Sequence, residues 1–428
     1  MSKYAIINGI LLDGTENMEP QEGKTVFVED GRIAAIREAD ADTTGYQVID
    51  LNGQYLLPGL INLHVHIPAT GKPKKKQTDA RKLANLLSSN AFTRYVGYQL
   101  CKSYMKPELL SGVTTMRTVG GLLDIDGRLR DEIQAGKIQG PRIVAGNMGI
   151  SVPGGHMAGS LAHEAHSPEE AAALVGKIAE TKPDVLKLMI TGGVLDAKKR
   201  GEPGELKMPA AYVKAACDEA HKLGLKVAAH VESPEGVKVA LENGVDTIEH
   251  GAKPDAEILE LFRQRGACLV ATLSPALPYA LFDRAVSYAT EEQQFNGNIV
   301  FEGIIGCAKA CLEAGIPVGL GTDTGCPYIT HYDMWREIYY FHKYCGVSNQ
   351  FALYSATLGN ARILGIDQET GNIAEGKCAD LIACKENPLE HVKALRSLSM
   401  VMARGELADH SALKKYLDVE RELDKFLD

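Results

Sequence analysis

Four histidines, one aspartate and one lysine occupy comparable places in short apolar segments. His64 and His66 lie in LINLHVH (60–66), Lys187 in VLKLMIT (185–191), His230 in KVAAHVE (226–232), His250 in DTIEHG (246–251) and Asp323 in PVGLGTD (317–323). Imidazole and carboxylate are the ligands that zinc and similar divalent ions take. Taken singly, each residue has an ordinary structural use: a histidine closing a strand, a lysine paired with an acid, an aspartate capping a turn. Taken together, they are the donor set of a metal site. Lys187 needs its own chemistry, because an ammonium cannot ligate a metal. An apolar strand disfavours its charged form. The neutral amine can take up carbon dioxide as a carbamate, an anionic oxygen ligand able to bridge two cations.

Such a site requires elements that bring these segments to one rim. Eight strand-like segments can be read in the middle of the chain: the five above, plus VTTMRTV (113–119), PRIVAGN (141–147) and CLVATL (268–273). Amphipathic stretches such as PEEAAALVGKIAET and AYVKAACDEAHKLG separate most of them. Strand–helix alternation repeated eight times predicts an α/β fold, a (β/α)8 TIM-like barrel over 58–366, with side chains for chemistry at the C-terminal strand ends. His64 and His66, two apart on a strand, then share the inward face. An open doubly wound sheet would carry a Gly-rich phosphate turn after its first strand, where this chain has HVHIPATGKPKKKQ.

Both ends of the chain read differently. YAIINGILLDG, TVFVEDGRIAAI and YQVIDLNGQYLLPG are short strands punctuated by Asn-Gly and Asp-Gly, and GNIAEGKCADLIACKENP and LSMVMARGEL repeat the style near the C-terminus. Neither set makes an independent core. The expectation is one discontinuous β-sandwich domain from 1–57 and 367–428, with 410–428 an amphipathic terminal helix.

Composition narrows the partners. The chain has 428 residues, with 46 basic and 55 acidic side chains for a net charge of −9, which argues against a nucleic-acid footprint. Nine cysteines, an odd number without a CxxC pair, read as reduced thiols of a cytoplasmic protein. Cys307 and Cys311 read as packing on a helix. No signal-peptide pattern opens the sequence, and no stretch is apolar enough to span a membrane. The expected partner is a small-molecule substrate, with no nucleic acid, no membrane and a possible homo-oligomer.

The sequence resembles the amidohydrolase superfamily, in its binuclear branch with a carboxylated lysine. LLPGLINLHVHI (56–67), GVTTMRTVGG (112–121), VLKLMITGGV (185–194), AAHVESPEGVKVALENGVDTIEHG (228–251), GLGTDTG (319–325) and the tail 359–390 carry the likeness. The loops look most like those of prolidase-like and imidazolonepropionase-related members. The resemblance implies two divalent ions, zinc by preference. His64, His66 and Asp323 would serve one and His230 and His250 the other, with carboxylated Lys187 and a hydroxide between them. It implies hydrolysis of an amide or peptide-like bond, of a Xaa-Pro-like dipeptide or an N-acyl amino acid, with Asp323 moving the proton. Alternatives within the superfamily are a cyclic-amide hydrolase or a deaminase; outside catalysis, a barrel scaffold. GNMGISVPGGHMAG (146–159) resembles a substrate loop and implies a contact from His156. Tyr279, Tyr328 and His331 fall in loops after predicted strand ends, where a substrate can be touched. The lysine run 72–76 reads as a solvated loop. HVESPEG departs from the His-Ala-His-Gly of many relatives.

Overall fold

The computed structural model describes residues 3–75, 79–409 and 413–427. Eight parallel strands form a barrel: Leu60–Val65, Val113–Thr118, Arg142–Val144, Val185–Met189, Lys226–Val231, Thr247–His250, Cys268–Ala271 and Val318–Leu320. We number these barrel strands one to eight. They read as nearly continuous apolar runs because helices cover the outside while side chains fill the inside; all five residues of strand four, lysine included, are buried. Strand eight meets strand one through the Asp323 amide, which donates to the His64 carbonyl at 2.8 Å, and the His66 amide, which donates to the Thr324 carbonyl at 3.0 Å. The seam of the barrel therefore runs through three of the predicted ligands.

Strand three is split. Arg142–Val144 pairs with strand two, and Gly149–Ser151 pairs with strand four at Ile150. The four intervening residues let the chain turn toward the loop that carries His156.

The outer helices begin where capping residues dictate. Ser167, Ser233 and Asp255 each accept a backbone N–H three residues on, and proline opens the helices Pro168–Ala179 and Pro234–Glu242. A helical hairpin, Ala80–Ser88 and Ala91–Leu110, links strands one and two.

Both chain ends build one eight-stranded sheet. Tyr4–Leu11 lies at its centre, and Leu381–Cys384 joins it through Tyr55–Pro58. The sheet closes over a shared core in which Ile6, Val26, Ile33 and Leu56 meet Leu381, Ala383, Met400 and Met402. Asp30-Gly31 and Asn52-Gly53 turn as expected, with positive φ at all four residues. Asn8-Gly9 does not turn. It is a bulge inside Tyr4–Leu11, with Asn8 at φ 54°, between a segment paired to Gln47–Asp50 and one paired to Tyr55–Pro58. The extra residue lets one strand change partners.

The terminal helix is shorter than expected, Leu417–Leu423 followed by one 3-10 turn at Asp424–Phe426; residues 410–412 and 428 lie outside the described residues. It docks on the barrel. Arg336, from the helix Met334–Cys345, donates to Glu420 at 3.1 Å and Asp424 at 2.7 Å, and Arg396 donates to the same two acids. The lysine run is exposed at Lys72, Lys74 and Lys75, with Lys72 over the Tyr416 ring, while Lys76 lies outside the described residues.

Candidate metal centre

His64, His66, Lys187, His230, His250 and Asp323 all reach the interior at the C-terminal ends of strands one, four, five, six and eight, and all are buried. The donor atoms of His64, His250 and Asp323 lie within 4.8 Å of one another, and so do those of His230, Glu232 and His250. His250 belongs to both groups, so the cluster is two adjoining sets of donors rather than one.

Hydrogen bonds fix which ring nitrogen each histidine presents. Nδ1 of His64 donates to Glu249 at 2.8 Å, and Nδ1 of His66 donates to the Gly120 carbonyl at 2.8 Å. Those acceptors have no hydrogen to give, so Nδ1 of each ring is the donor and Nε2 is the nitrogen left facing the interior. Burial beside Lys187 pulls His64 down to about 4, which keeps it neutral. Nε2 of His66 stands 3.1 Å from Asp323 Oδ1, and Nε2 of His64 stands 3.5 Å from the same oxygen. Surrounding imidazoles hold the Asp323 carboxyl well below the usual range, so it is an anion. Two Nε2 atoms therefore face one carboxylate oxygen, an arrangement that a cation between them satisfies. His230 Nε2 donates to the Gly192 carbonyl at 3.3 Å, and His250 Nδ1 pairs with the Thr272 hydroxyl at 2.6 Å.

Lys187 Nζ, Asp323 Oδ1 and Glu232 Oε2 are buried without a hydrogen-bond partner among the described residues. Three uncommitted buried polar atoms are costly in a bare protein. Burial lowers the Lys187 ammonium to about 8, toward the neutral amine. The donor set fits two divalent ions with a modified lysine between them. His250 and Asp323 also hold left-handed backbone, at φ 68° and 56°, a strain of roughly 1–3 kcal/mol each that the closed barrel maintains.

Behind the donors lies a second layer that sequence reasoning missed. Glu249, fully buried, accepts from His64 Nδ1, from Arg117 at 2.6 Å and from Thr247 at 2.7 Å. Arg117 also donates to the Leu63 carbonyl at 2.8 Å. A charged residue inside an apolar strand was the signal that singled out Lys187; VTTMRTV and DTIEHG carry it too. Glu232 was visible by parity, two residues beyond His230 on one strand and so on the same face. Burial beside Asp323 and Asp196 raises its carboxyl well above the usual range.

The predicted substrate residues divide. His156 stacks on His230, ring centroids 4.1 Å apart and 7° from parallel, and its Nδ1 donates to Asp196 at 2.5 Å. Tyr279 is buried in Leu273–Leu281, the helix after strand seven. Backbone amides of Leu273 and Ser274 at the start of that helix donate to Glu337, whose carboxyl burial raises to about 7. Tyr328 gives its hydroxyl to the Val286 carbonyl at 2.6 Å. Both nitrogens of His331 are engaged, with Glu108 at 3.1 Å and the Ala69 carbonyl at 2.7 Å. Tyr328 and His331 thus brace the loops around the rim. Cys307 and Cys311 pack in the core, and all nine cysteines are free. Next to the donors, Glu232 and Gly251 help line a cavity of about 630 Å³ walled by 201–206, 232–235, 251–253 and the helix Glu291–Glu313.

Residues 55–408 match the amidohydrolase family. A prolidase-like protein from Bifidobacterium longum is similar in structure, with a TM-score of 0.87 at 34% identity, over 99% of this chain and 98% of that one. A Xaa-Pro dipeptidase solved with methionine in its active site gives 0.83 at 28% identity, over 95% and 100%. Ochratoxinase of Aspergillus niger is 24% identical over 422 residues, 91% of this chain and 83% of its own.

Proposed function

Because this chain belongs to the amidohydrolase family and is a hydrolase of carbon–nitrogen bonds, we propose that it cleaves the amide of a dipeptide, Xaa-Pro-like, or of an N-acyl amino acid at a binuclear metal centre. His64, His66 and Asp323 would hold one ion and His230 and His250 the other, with Lys187, as its carbamate, between them. Zinc suits this mixture of imidazole and carboxylate. Two such ions supply Lewis acidity to the scissile carbonyl and acidify the attacking water. The convergence of His64 and His66 on the Asp323 carboxylate supports this reading most directly.

The chain's own residues divide the remaining work. Asp323 is held as an anion at the rim by the surrounding imidazoles, so it accepts the proton of the attacking water. It then returns that proton to the departing nitrogen, which leaves poorly as an amide anion. The Cys326 thiol, 3.4 Å from Oδ2, steadies the other oxygen. His156, oriented by Asp196, is placed to hold the substrate beside His230. Glu249 and Arg117 fix the His64 ring. The unpaired cysteines accord with a cytoplasmic setting, and among the described residues no helix is long and apolar enough to cross a membrane.

Asp323→Asn tests the proton role. An amide side chain keeps an oxygen for the metal but cannot carry a proton. The variant retains its metal by elemental analysis and loses about 10²–10⁴-fold in kcat. Undiminished turnover in the metal-loaded variant overturns the assignment.

A further inference from the structure

A second cavity lies at the other end of the barrel from the metal centre, where strands seven and eight begin. It measures about 440 Å³ and is walled by Cys268 and Val318 of those strands, the turn 315–317, the helix Asn349–Tyr354, the π-helical turn Ser355–Gly359 and Arg362. Glu16, from the sheet of the chain ends, completes it. We infer that this cavity is a ligand site separate from the metal centre, and that it takes a free amino acid with an apolar side chain. The cavity alone carries this assignment; the proposed hydrolysis releases molecules of the same class.

Charge and shape define the ligand. Much of the wall is apolar, with Leu312, Ile316, Phe351 and Ile363 facing the space, and its size is that of a small-molecule site. Two of the lining residues are charged, Glu16 and Arg362, one of each sign. Among the described residues neither has an ion-pair partner, and they are not paired with each other. Arg362 Nη1 donates to the Tyr354 hydroxyl at 2.7 Å, and the Glu16 backbone carbonyl accepts from Gln350 at 2.8 Å. These bonds hold both residues at the cavity while leaving guanidinium donors and the Glu16 carboxylate to meet a ligand. A simple carboxylic acid would answer Arg362 alone, and an amine Glu16 alone. An α-amino acid answers both, and its side chain fills the apolar part.

The wall itself is unusual in two ways. The Ser355 hydroxyl is buried there without a hydrogen-bond partner among the described residues, a state that native proteins seldom leave unexplained. It opens a π-helical turn, a widened geometry found mostly at functional sites. The turn is also held firmly. Asn360, directly after it, accepts from the Leu320 amide at 2.9 Å and donates to the Ile61 and Leu320 carbonyls at 2.7 and 2.9 Å. These bonds fasten the turn to strands one and eight, so the site is formed before a ligand arrives and little ordering opposes binding.

Cys268 lines this cavity and is half-buried, so its alkylation reports occupancy without turnover. Cys378, also half-buried but away from the cavity, is the control. On the metal-loaded enzyme, modification of both thiols by N-ethylmaleimide is followed by mass spectrometry against rising L-phenylalanine. Two blocked forms are compared: L-phenylalaninamide, which lacks the carboxylate, and N-acetyl-L-phenylalanine, which lacks the ammonium. Phenylalanine should slow Cys268 and leave Cys378 unchanged, at about 5-fold lower concentration than either blocked form, the scale of an exposed ion pair. Arg362→Met should abolish its advantage over the amide, and Glu16→Gln its advantage over the acetylated form. Equal protection by all three overturns the amino-acid assignment. No protection by phenylalanine overturns the site. A Cys268 that does not react in the free enzyme overturns it as well, because the cavity is then closed to small molecules. Hydrolysis enters none of these readings, so they stand or fall apart from the hydrolase reading.

Discussion

At the residue scale, the proposed two-ion centre depends on Lys187. Its environment is built for an amine rather than an ammonium: burial outweighs the attraction of Glu249 and Asp323, and Arg117 adds repulsion. The pH dependence follows from that direction. Carbamate formation consumes the neutral amine, whose fraction rises about tenfold per pH unit until pH reaches the pKa. With the ammonium lowered from 10.5 to about 8, uptake of metal by apo-protein at a fixed concentration of dissolved carbon dioxide should accelerate from about pH 6 to about pH 8 and then level off. An unshifted lysine would keep accelerating to about pH 10.5. Stopped-flow metal uptake across this range checks it, and a rate indifferent to pH contradicts the amine's role. Lys187 was legible in the sequence because a lone charge interrupts an apolar run. The state of the histidines was not. Which nitrogen each presents depends on Glu249, Gly120 and Gly192, residues from other strands and loops that only the folded chain brings near.

At the element scale, the eight barrel strands could be read from periodicity because each is a short apolar run between turns; strand three alone departs, with its second half Gly149–Ser151 beyond the expected segment. What periodicity could not show is how the strands are tied together. Arg117 on strand two and Glu249 on strand six meet across the barrel and grip His64 on strand one. Breaking a buried pair by removing one partner strands the other charge. Arg117→Met should therefore cost about 3–5 kcal/mol in unfolding free energy. It should also weaken metal binding about 10- to 100-fold by freeing the His64 ring. Denaturant unfolding and competition with a chelator measure the two effects separately. A variant unchanged in both would mean the pair does not orient the ligand. The Asn8-Gly9 bulge makes a related point. The dipeptide is a turn signal locally, but two partners competing for one strand turned it into a bulge.

At the scale of the whole molecule, both ends of the chain return to one sheet, and the C-terminal segment crosses back to the barrel. Arg336 and Arg396 share Glu420 and Asp424, and the Phe426 ring stacks on Phe282, which follows the helix after strand seven. The terminal helix thereby braces the same helix that presents Tyr279 and that Glu337 caps. The sequence showed that 410–428 is amphipathic but not what it covers, because the receiving surface is assembled from Phe282, Arg336 and Arg396, which lie on separate segments of the chain. The return of the tail to the sheet was legible, since its strands had no other partners. The rim loops were read by position alone. His156 was read from the resemblance of its loop, and neither resemblance nor position could show that it stacks on His230 or that His331 and Tyr328 spend their polar atoms on bracing the rim.

These scales meet in the claim that six side chains from five strands hold two divalent ions with Lys187 between them. The most direct test is metal content per chain by elemental analysis, on wild type and Lys187→Ala purified in the presence of zinc and bicarbonate. The wild type should carry about two ions per chain. Lys187→Ala should lose metal and hydrolysis together, and small carboxylic acids should restore part of both. A wild type that binds no metal, or a Lys187→Ala variant that keeps both ions, would contradict the account.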